Sequence, residues 1–285
     1  VIGIDSRDTS RVQRVKGLSI YTLRYSRGSF EKLFRENEFE VVYHLARFSH
    51  SSLGQENLTK RLELSVMGTN RILEMSLRFN VRKLIVLSTF HVYGALPDNS
   101  IFLGEDSPLK ASLQYPEMLD VVEMDQISTN YMWKYQNEMS VVALRPCNII
   151  GNQIKNTMSR YLTNHFALKP IDYNPIFQFI HEFDMASILE RAIEELPTGI
   201  YNVATDEFIA FREALDISGA RGIPFSMAFA GQVNHALKKF GIRIPDYLID
   251  YLKFSCLIDN SALKEHLGEN FYRFSIEESL RLLKA

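Results

Sequence analysis

Short apolar runs alternate along this chain with longer stretches whose apolar residues recur at helical spacing. Residues 1–5, 18–23, 39–45, 84–87, 141–145 and 199–204 read as strands. The run Leu84-Ile-Val-Leu87 is continuous rather than alternating, the mark of a strand covered on both faces of a parallel sheet. Between the strands, residues 29–36 place Phe30, Leu33 and Phe34 on one helix face, with Ser29 as the expected N-cap. Residues 58–79 predict a long amphipathic helix carrying Leu62, Val66, Thr69, Ile72, Leu73 and Leu77 near a 3.6 period. Asp184 is the expected N-cap of a helix over 185–196, stopped by Pro197 and Gly199. The alternation predicts a doubly wound, mostly parallel α/β domain.

Beyond residue 204 the pattern changes. Residues 210–285 read as a smaller, largely helical cap. It has a break at 221–224, an apolar helix over 225–240, a strand and helix across 258–268 closed by Gly268, and a last amphipathic helix over 274–283. The expected division is therefore a doubly wound domain over 1–150 with 176–204 returning to it. A cap region would comprise 151–175 and 205–285.

Two strands end alike. The run 84–87 stops at Ser88-Thr89, and Tyr93-Gly94 follows; the run from 141 leads through Pro146 and Asn148 to Gly151. Ligands of open α/β sheets sit just past the carboxyl ends of the strands, so polar groups at these points are placed for chemistry.

Composition narrows the classes. With 285 residues, 46% apolar and 23% charged, the chain has an ordinary globular balance. A formal charge of −2 leaves no electrostatic footprint for nucleic acid. No apolar stretch reaches the roughly 18 residues of a membrane span, and no signal peptide is visible. Cys147 and Cys256 belong to no metal-ligand cluster and read as reduced, buried thiols of a cytoplasmic protein. The chain opens on Val1, already inside a strand, which reads as an incomplete N-terminus.

The segments VIGID (1–5), VVYHLA (41–46), SVMGTNRILE (65–74), LIVLSTFHVYG (84–94), VVALRPCNIIG (141–151), FIHEFDMA (179–186) and TGIYNVA (198–204) carry a resemblance. In order and spacing they resemble an extended short-chain dehydrogenase/reductase of the NAD-dependent epimerase/dehydratase group. The resemblance implies a Rossmann-type sheet, NAD or NADP as cofactor, and a small-molecule substrate such as a nucleotide sugar; a homodimer follows by analogy. It implies Thr89 as the hydroxyl that binds the reacting oxygen and Tyr115 as the acid/base. It places Asp5, His44, Leu45, Ala46, Ser65, Ser88 and Pro146 along the cofactor, and His91, Tyr93, Asn148 and His181 near the substrate. Asp5, an acid ending a strand, fits the ribose-binding acid and favours NAD; the Gly-rich turn would then lie upstream of Val1.

Three functional slots depart from the family pattern: Arg24 where an adenine-contacting Asp is usual, Ser65 in place of an Asn, and Leu119 in place of the lysine of Tyr-x-x-x-Lys. Glu123 supports the register of that last motif. A leucine cannot stabilise a phenolate, and an unassisted phenol with a pKa of about 10 is a poor base at neutral pH. Two readings stay open: an NAD(P)-dependent epimerase, dehydratase or reductase with a degenerate motif, or a non-catalytic relative that binds a nucleotide or protein partner and uses the fold as a scaffold.

Overall fold

The computed structural model describes residues 1–5, 15–23, 26–45, 58–164, 167–232, 246–269 and 271–283. β1 (Ile2–Asp5) and β2 (Ser19–Thr22) pair in parallel, with Asp5 opposite Thr22. α1 (Arg27–Glu36) is capped by Ser26 rather than Ser29: Ser26 is extended, and its side chain accepts the Ser29 amide at 3.2 Å. The better-placed hydroxyl starts the helix earlier than the sequence pattern suggests. β3 (Val41–His44) follows.

The expected single helix over 58–79 is divided. α2 (Leu58–Leu62) and α3 (Gly68–Arg78) flank a π-helical turn, Glu63–Met67. The apolar stripe continues through the turn, so periodicity alone could not reveal it. Such insertions are rare and concentrate at functional sites.

β4 (Lys83–Leu87) lies at the centre. It pairs in parallel with β3 on one side and with β6 on the other. β5 (Phe102–Leu103), α4 (Ala111–Gln114) and α5 (Leu119–Lys134) lead to β6 (Ser140–Pro146). Leu84, Ile85 and Val86 are fully buried. Ile85 joins one hydrophobic cluster with Val142 and Leu144, whereas Leu84 and Val86 join another with Val141. Successive side chains thus feed opposite faces, which is why the run is apolar throughout. Fully burying each such side chain contributes roughly 1.5–3 kcal/mol.

The chain then crosses through β7 (Asn148–Ile150), α6 (Thr157–Leu162), β8 (Ala167–Pro170), β9 (Ile176–Phe177), β10 (Phe179–His181) and α7 (Glu182–Arg191) to β11 (Gly199–Val203). β11 pairs in parallel with β6, which completes the sheet order β3–β4–β6–β11. Gln178 interrupts β9 and β10. Its buried amide donates to the carbonyls of Thr205 and Ile258 and accepts the Ile258 amide at 2.9 Å, sewing β10 to the C-terminal region. α7 begins three residues before Met185, capped by the His181 ring in place of Asp184. Asp184 is buried and accepts the amides of Arg273 and Phe274 instead. The C-terminal end of α7 is held by Lys83, whose ammonium donates to the carbonyls of Ala192, Ile193 and Leu196 at 3.0, 2.6 and 2.8 Å. A cation at that end complements both the orphan carbonyls and the helix dipole.

Past β12 (Ile209–Ala210) and α8 (Phe211–Ser218), the expected break at 221–224 is β13 (Gly222–Phe225), paired in parallel with β8. Of the apolar helix expected over 225–240, Phe225 ends this strand and Met227–Phe229 form a 3-10 turn; residues 233–240 lie outside the described residues. The helix Asp246–Tyr251 then packs Tyr247 and Tyr251 into the same hydrophobic cluster as Ile85. β14 (Leu257–Ile258) and the helix Ser261–Leu267 end at Gly268, as the pattern indicates. The helix Ile276–Leu282 opens with a capping box between Ser275 and Glu278.

Candidate functional site

Ser88 and Thr89 stand directly past β4. Ser88 is buried, and its hydroxyl donates to Asp125 Oδ2 at 2.5 Å. Asp125 in turn takes Arg145 Nη2 at 2.6 Å on Oδ1 and Nε at 3.0 Å on Oδ2. Arg145 Nη1 donates to the Tyr93 hydroxyl at 2.8 Å and to the Glu105 carbonyl at 2.9 Å. The Tyr93 hydroxyl passes its own hydrogen to Asn202 Oδ1 at 2.8 Å. Arg145, Asp125 and Asn202 are missing from the set of site residues expected from the sequence. Together they fix the turn that carries Thr89. Tyr93 differs from its expected place beside the substrate: the ring is 1% exposed and its hydroxyl is used inside this network. Burial pushes its phenol up to about 12, against the lowering effect of Arg145. Gly94 follows because the backbone there takes φ +81°, and a Cβ would stand 3.3 Å from Ala111 Cα.

Thr89 caps the 3-10 turn Phe90–Val92, its Oγ1 accepting the His91 amide at 3.4 Å. That turn presents Phe90 and His91 to the helix Asp246–Tyr251. The His91 ring lies edge-on 4.7 Å from Tyr251 and 6.2 Å from Tyr247. Tyr115 reaches the same group, with its ring 6.4 Å from Tyr247. The structure therefore brings His91 and Tyr115 to one aromatic cluster at the carboxyl edge of the sheet, with Thr89 capping the turn that carries His91. Tyr115 stands outside the α5 helix. It ends α4 in an extended conformation, a 3-10 turn Pro116–Met118 intervenes, and Leu119 is the first residue of α5. Pro116 prevents the helix from running back through Tyr115. The Tyr115 hydroxyl donates to Asp250 Oδ2 in the helix Asp246–Tyr251, a partner no local motif signals.

The cofactor-side residues fall at the ends of β1, β3 and β6. Asp5 ends β1, Leu45 is 46% exposed just past β3, and Pro146 ends β6 against Val203. Ala46 and Arg24 lie outside the described residues. Ser65 sits in the π turn. Its hydroxyl is buried and finds no partner within the described structure. A buried orphan hydroxyl is the kind of group that an added ligand or water satisfies. His44 is buried one turn away, and its ring nitrogen Nε2 lies 2.8 Å from Thr69 Oγ1. Thr69 already donates to the Ser65 carbonyl at 2.5 Å, so its oxygen accepts from a neutral His44 protonated at Nε2.

Burial lowers the His44 pKa to about 4 from 6.5. The unfolded chain takes up a proton near pH 6.5 that the folded chain refuses until about pH 4. The contribution of His44 is thus whole above pH 6.5 and is lost as acid is added, by roughly 2–3 kcal/mol at pH 4.5. Urea unfolding at pH 7 and pH 4.5 checks this: His44→Gln is expected to lose less stability between the two pH values than the parent by that amount. Equal losses would show that His44 is charged in the fold.

Two expected substrate residues have inward roles. Asn148 is buried on β7 and donates to the Gln178 carbonyl at 3.2 Å. His181 caps α7 by accepting the Phe183 amide at 3.3 Å on Nδ1, and its ring stacks 4.1 Å from Phe274. Both cysteines are free and buried. Among the described residues no helix is long and apolar enough to cross a membrane.

With this geometry in place, comparison with known proteins is direct. The profile of the NAD dependent epimerase/dehydratase family matches residues 1–204. The Mycobacterium tuberculosis protein Rv0501 is 25% identical over 244 residues, covering 83% of this chain and 63% of its own length. The Caenorhabditis elegans UDP-glucose 4-epimerase is 25% identical over 232 residues, covering 69% of this chain and 64% of its own. The chain thus spans a little under two thirds of the curated relatives it matches. Among solved structures, the Thermus thermophilus UDP-glucose 4-epimerase complex with NAD superposes with a TM-score of 0.76 at 19% identity, over 99% of this chain and 89% of that one. The Thermotoga maritima UDP-glucose 4-epimerase with UDP-glucose gives 0.74 at 17% identity, with the same coverage. The match over residues 1–204, on a doubly wound α/β fold, places the chain in the NAD dependent epimerase/dehydratase family.

Proposed function

We propose that this protein is an NAD-dependent epimerase or dehydratase acting on a nucleotide-linked sugar. The observation that carries the reading is the aromatic cluster past β4, at the carboxyl edge of the parallel sheet, which Tyr115 joins through Tyr247 and which His91 joins from the turn that Thr89 caps. Thr89 would donate a hydrogen bond to the reacting oxygen, and Tyr115 would hold or move its proton. Asp5 would bind the adenosine ribose, with Leu45, Ser65 and Pro146 along the dinucleotide. The orphan hydroxyl of Ser65, buried on a turn packed against α5, supports the presence of a bound group there. NAD, when bound, supplies the hydride acceptor. The relatives named as UDP-glucose 4-epimerases support a uridine-linked sugar as the first substrate to try.

The test is a thermal-shift titration of the full chain with NAD⁺ and NADP⁺, followed by turnover assays with UDP- and dTDP-sugars. A ligand at about 100 times its Kd adds about 2.7 kcal/mol to stability. NAD⁺ is therefore expected to raise the melting midpoint by about 5 °C or more, and NADP⁺ by less. A well-folded sample that responds to neither dinucleotide would overturn the reading.

A further inference from the structure

A phenol near neutral pH needs help to act as a base, and Leu119 cannot give it. The structure supplies a different neighbour. The Tyr115 hydroxyl donates to Asp250 Oδ2, 135 residues away in the sequence. Tyr115 is 6% exposed. Asp250 holds its other oxygen, Oδ1, 3.2 Å from Lys253 Nζ. It also lines a cavity of about 460 Å³ together with Asp98, Lys110, Gln114 and Phe254. The carboxylate therefore has the buried phenol on one side and an open cavity of mixed polar and apolar lining on the other.

A carboxylate works differently from a lysine. An ammonium stabilises the phenolate; a carboxylate takes the phenol's hydrogen while the phenol gains another. We propose that Asp250 is the proton acceptor through which Tyr115 works, in place of the lysine absent at Leu119. The proposal rests on the nucleotide-sugar reading above. In the forward step the O–H bond of a substrate hydroxyl breaks and its proton bonds to Tyr115 Oη, while the electron pair left on oxygen forms the C=O bond as the carbon's hydride would pass to bound NAD⁺. The original Oη–H bond breaks at the same time, and that proton bonds to Asp250 Oδ2. Tyr115 ends neutral, as it began, and Asp250 changes from carboxylate to carboxylic acid. Lys253 balances the carboxylate before transfer, and the cavity gives the proton a way out afterwards. The reverse sequence returns a proton to the substrate oxygen. Asp250 acts through Tyr115 and is in this sense a positioning residue.

The experiment compares Tyr115→Phe, Asp250→Asn, Asp250→Glu and the Tyr115→Phe/Asp250→Asn pair in the full chain. Steady-state kinetics is measured alongside NMR of protein labelled at tyrosine ¹³Cζ. The Tyr115 resonance is the one absent from Tyr115→Phe. It is expected to move in Asp250→Asn, whether or not a substrate is known. Both single variants are expected to lose about 100-fold or more in kcat, with KM changed less than about threefold. The double variant should be no slower than Tyr115→Phe, and Asp250→Glu should recover at least about tenfold over Asp250→Asn. Recovery by glutamate separates the relay from mere damage to the fold. Wild-type kcat in Asp250→Asn beside a slow Tyr115→Phe would overturn the proposal and leave Asp250 as a tether. An unmoved ¹³Cζ resonance would overturn it as well. Absence of turnover in the parent protein would count against the substrate reading instead, and the resonance would still decide whether Asp250 holds the Tyr115 proton.

Discussion

Arg145→Met is expected to cost about 3–5 kcal/mol of stability, measured by urea unfolding at neutral pH. The guanidinium is 3% exposed and the carboxylate facing it, Asp125, is fully buried. Their contact is bidentate, which suits the planar fork of arginine. A methionine of similar length fills much of the space but leaves a buried carboxylate that keeps the Ser88 hydroxyl as a side-chain donor. The loss is therefore the cost of an uncompensated charge more than the value of the pair. A second substitution tests that distinction. Arg145→Met combined with Asp125→Leu should regain a large part of the deficit, because the stranded charge is gone. A single variant within about 1 kcal/mol of the parent would show that water reaches Asp125 and that the network is not closed.

The same network explains how the chain could be read and where the reading stopped. The sheet was legible because burial on both faces leaves a local record: Leu84, Ile85 and Val86 are apolar whichever way they point. Gly268 and the helix before it were legible because a helix end is a local event. The roles of Ser88 and Tyr93 were not. Ser88 looks like a cofactor hydroxyl and Tyr93 like a substrate contact, since both stand past a strand in a pocket-forming segment. Their partners lie at Asp125 and Asn202, 37 and 109 residues on, brought close only when α5 packs on the sheet and β4 and β11 join it. No period or motif encodes such a pairing.

Glu123 and Tyr115 show the limit from the other side. Glu123 fits the spacing of the family's helix, yet the acid that holds Arg145 is Asp125, two residues on and close to the opposite side of the helix. The Tyr-x-x-x-Leu segment reads as one face of a helix, but Pro116 and the 3-10 turn after it place Tyr115 off that helix. The lost lysine therefore removed less than the linear motif suggested. Tyr115 no longer stands where a lysine four residues on would serve it, and the helix Asp246–Tyr251 brings a carboxylate to its hydroxyl instead. The scaffold reading drew its strength from an unassisted phenol, and the folded chain gives that phenol a partner.

Thr89→Val is expected to lower kcat by about 100- to 1000-fold while leaving the fold in place. The two side chains have nearly the same shape, so packing around a residue that is 4% exposed changes little. The structural duty of the hydroxyl is small: it accepts one amide, His91 N, at a long 3.4 Å. Loss of that cap costs about 1 kcal/mol, far less than the transition-state effect expected on the proposed reading, in which this donor binds the reacting oxygen. The two duties thus predict different measurements. If Thr89 serves only the strand end, thermal stability falls slightly and turnover of a nucleotide sugar stays within a few-fold of the parent. If it binds the reacting oxygen, turnover collapses while dinucleotide affinity, read by thermal shift, is retained. Thr89→Ser keeps the donor and should hold most of the activity, because a hydroxyl on the same Cβ can reach the same point. A valine variant with full turnover would remove Thr89 from the chemistry and shift attention to His91, whose ring sits against Tyr251 in the same cluster.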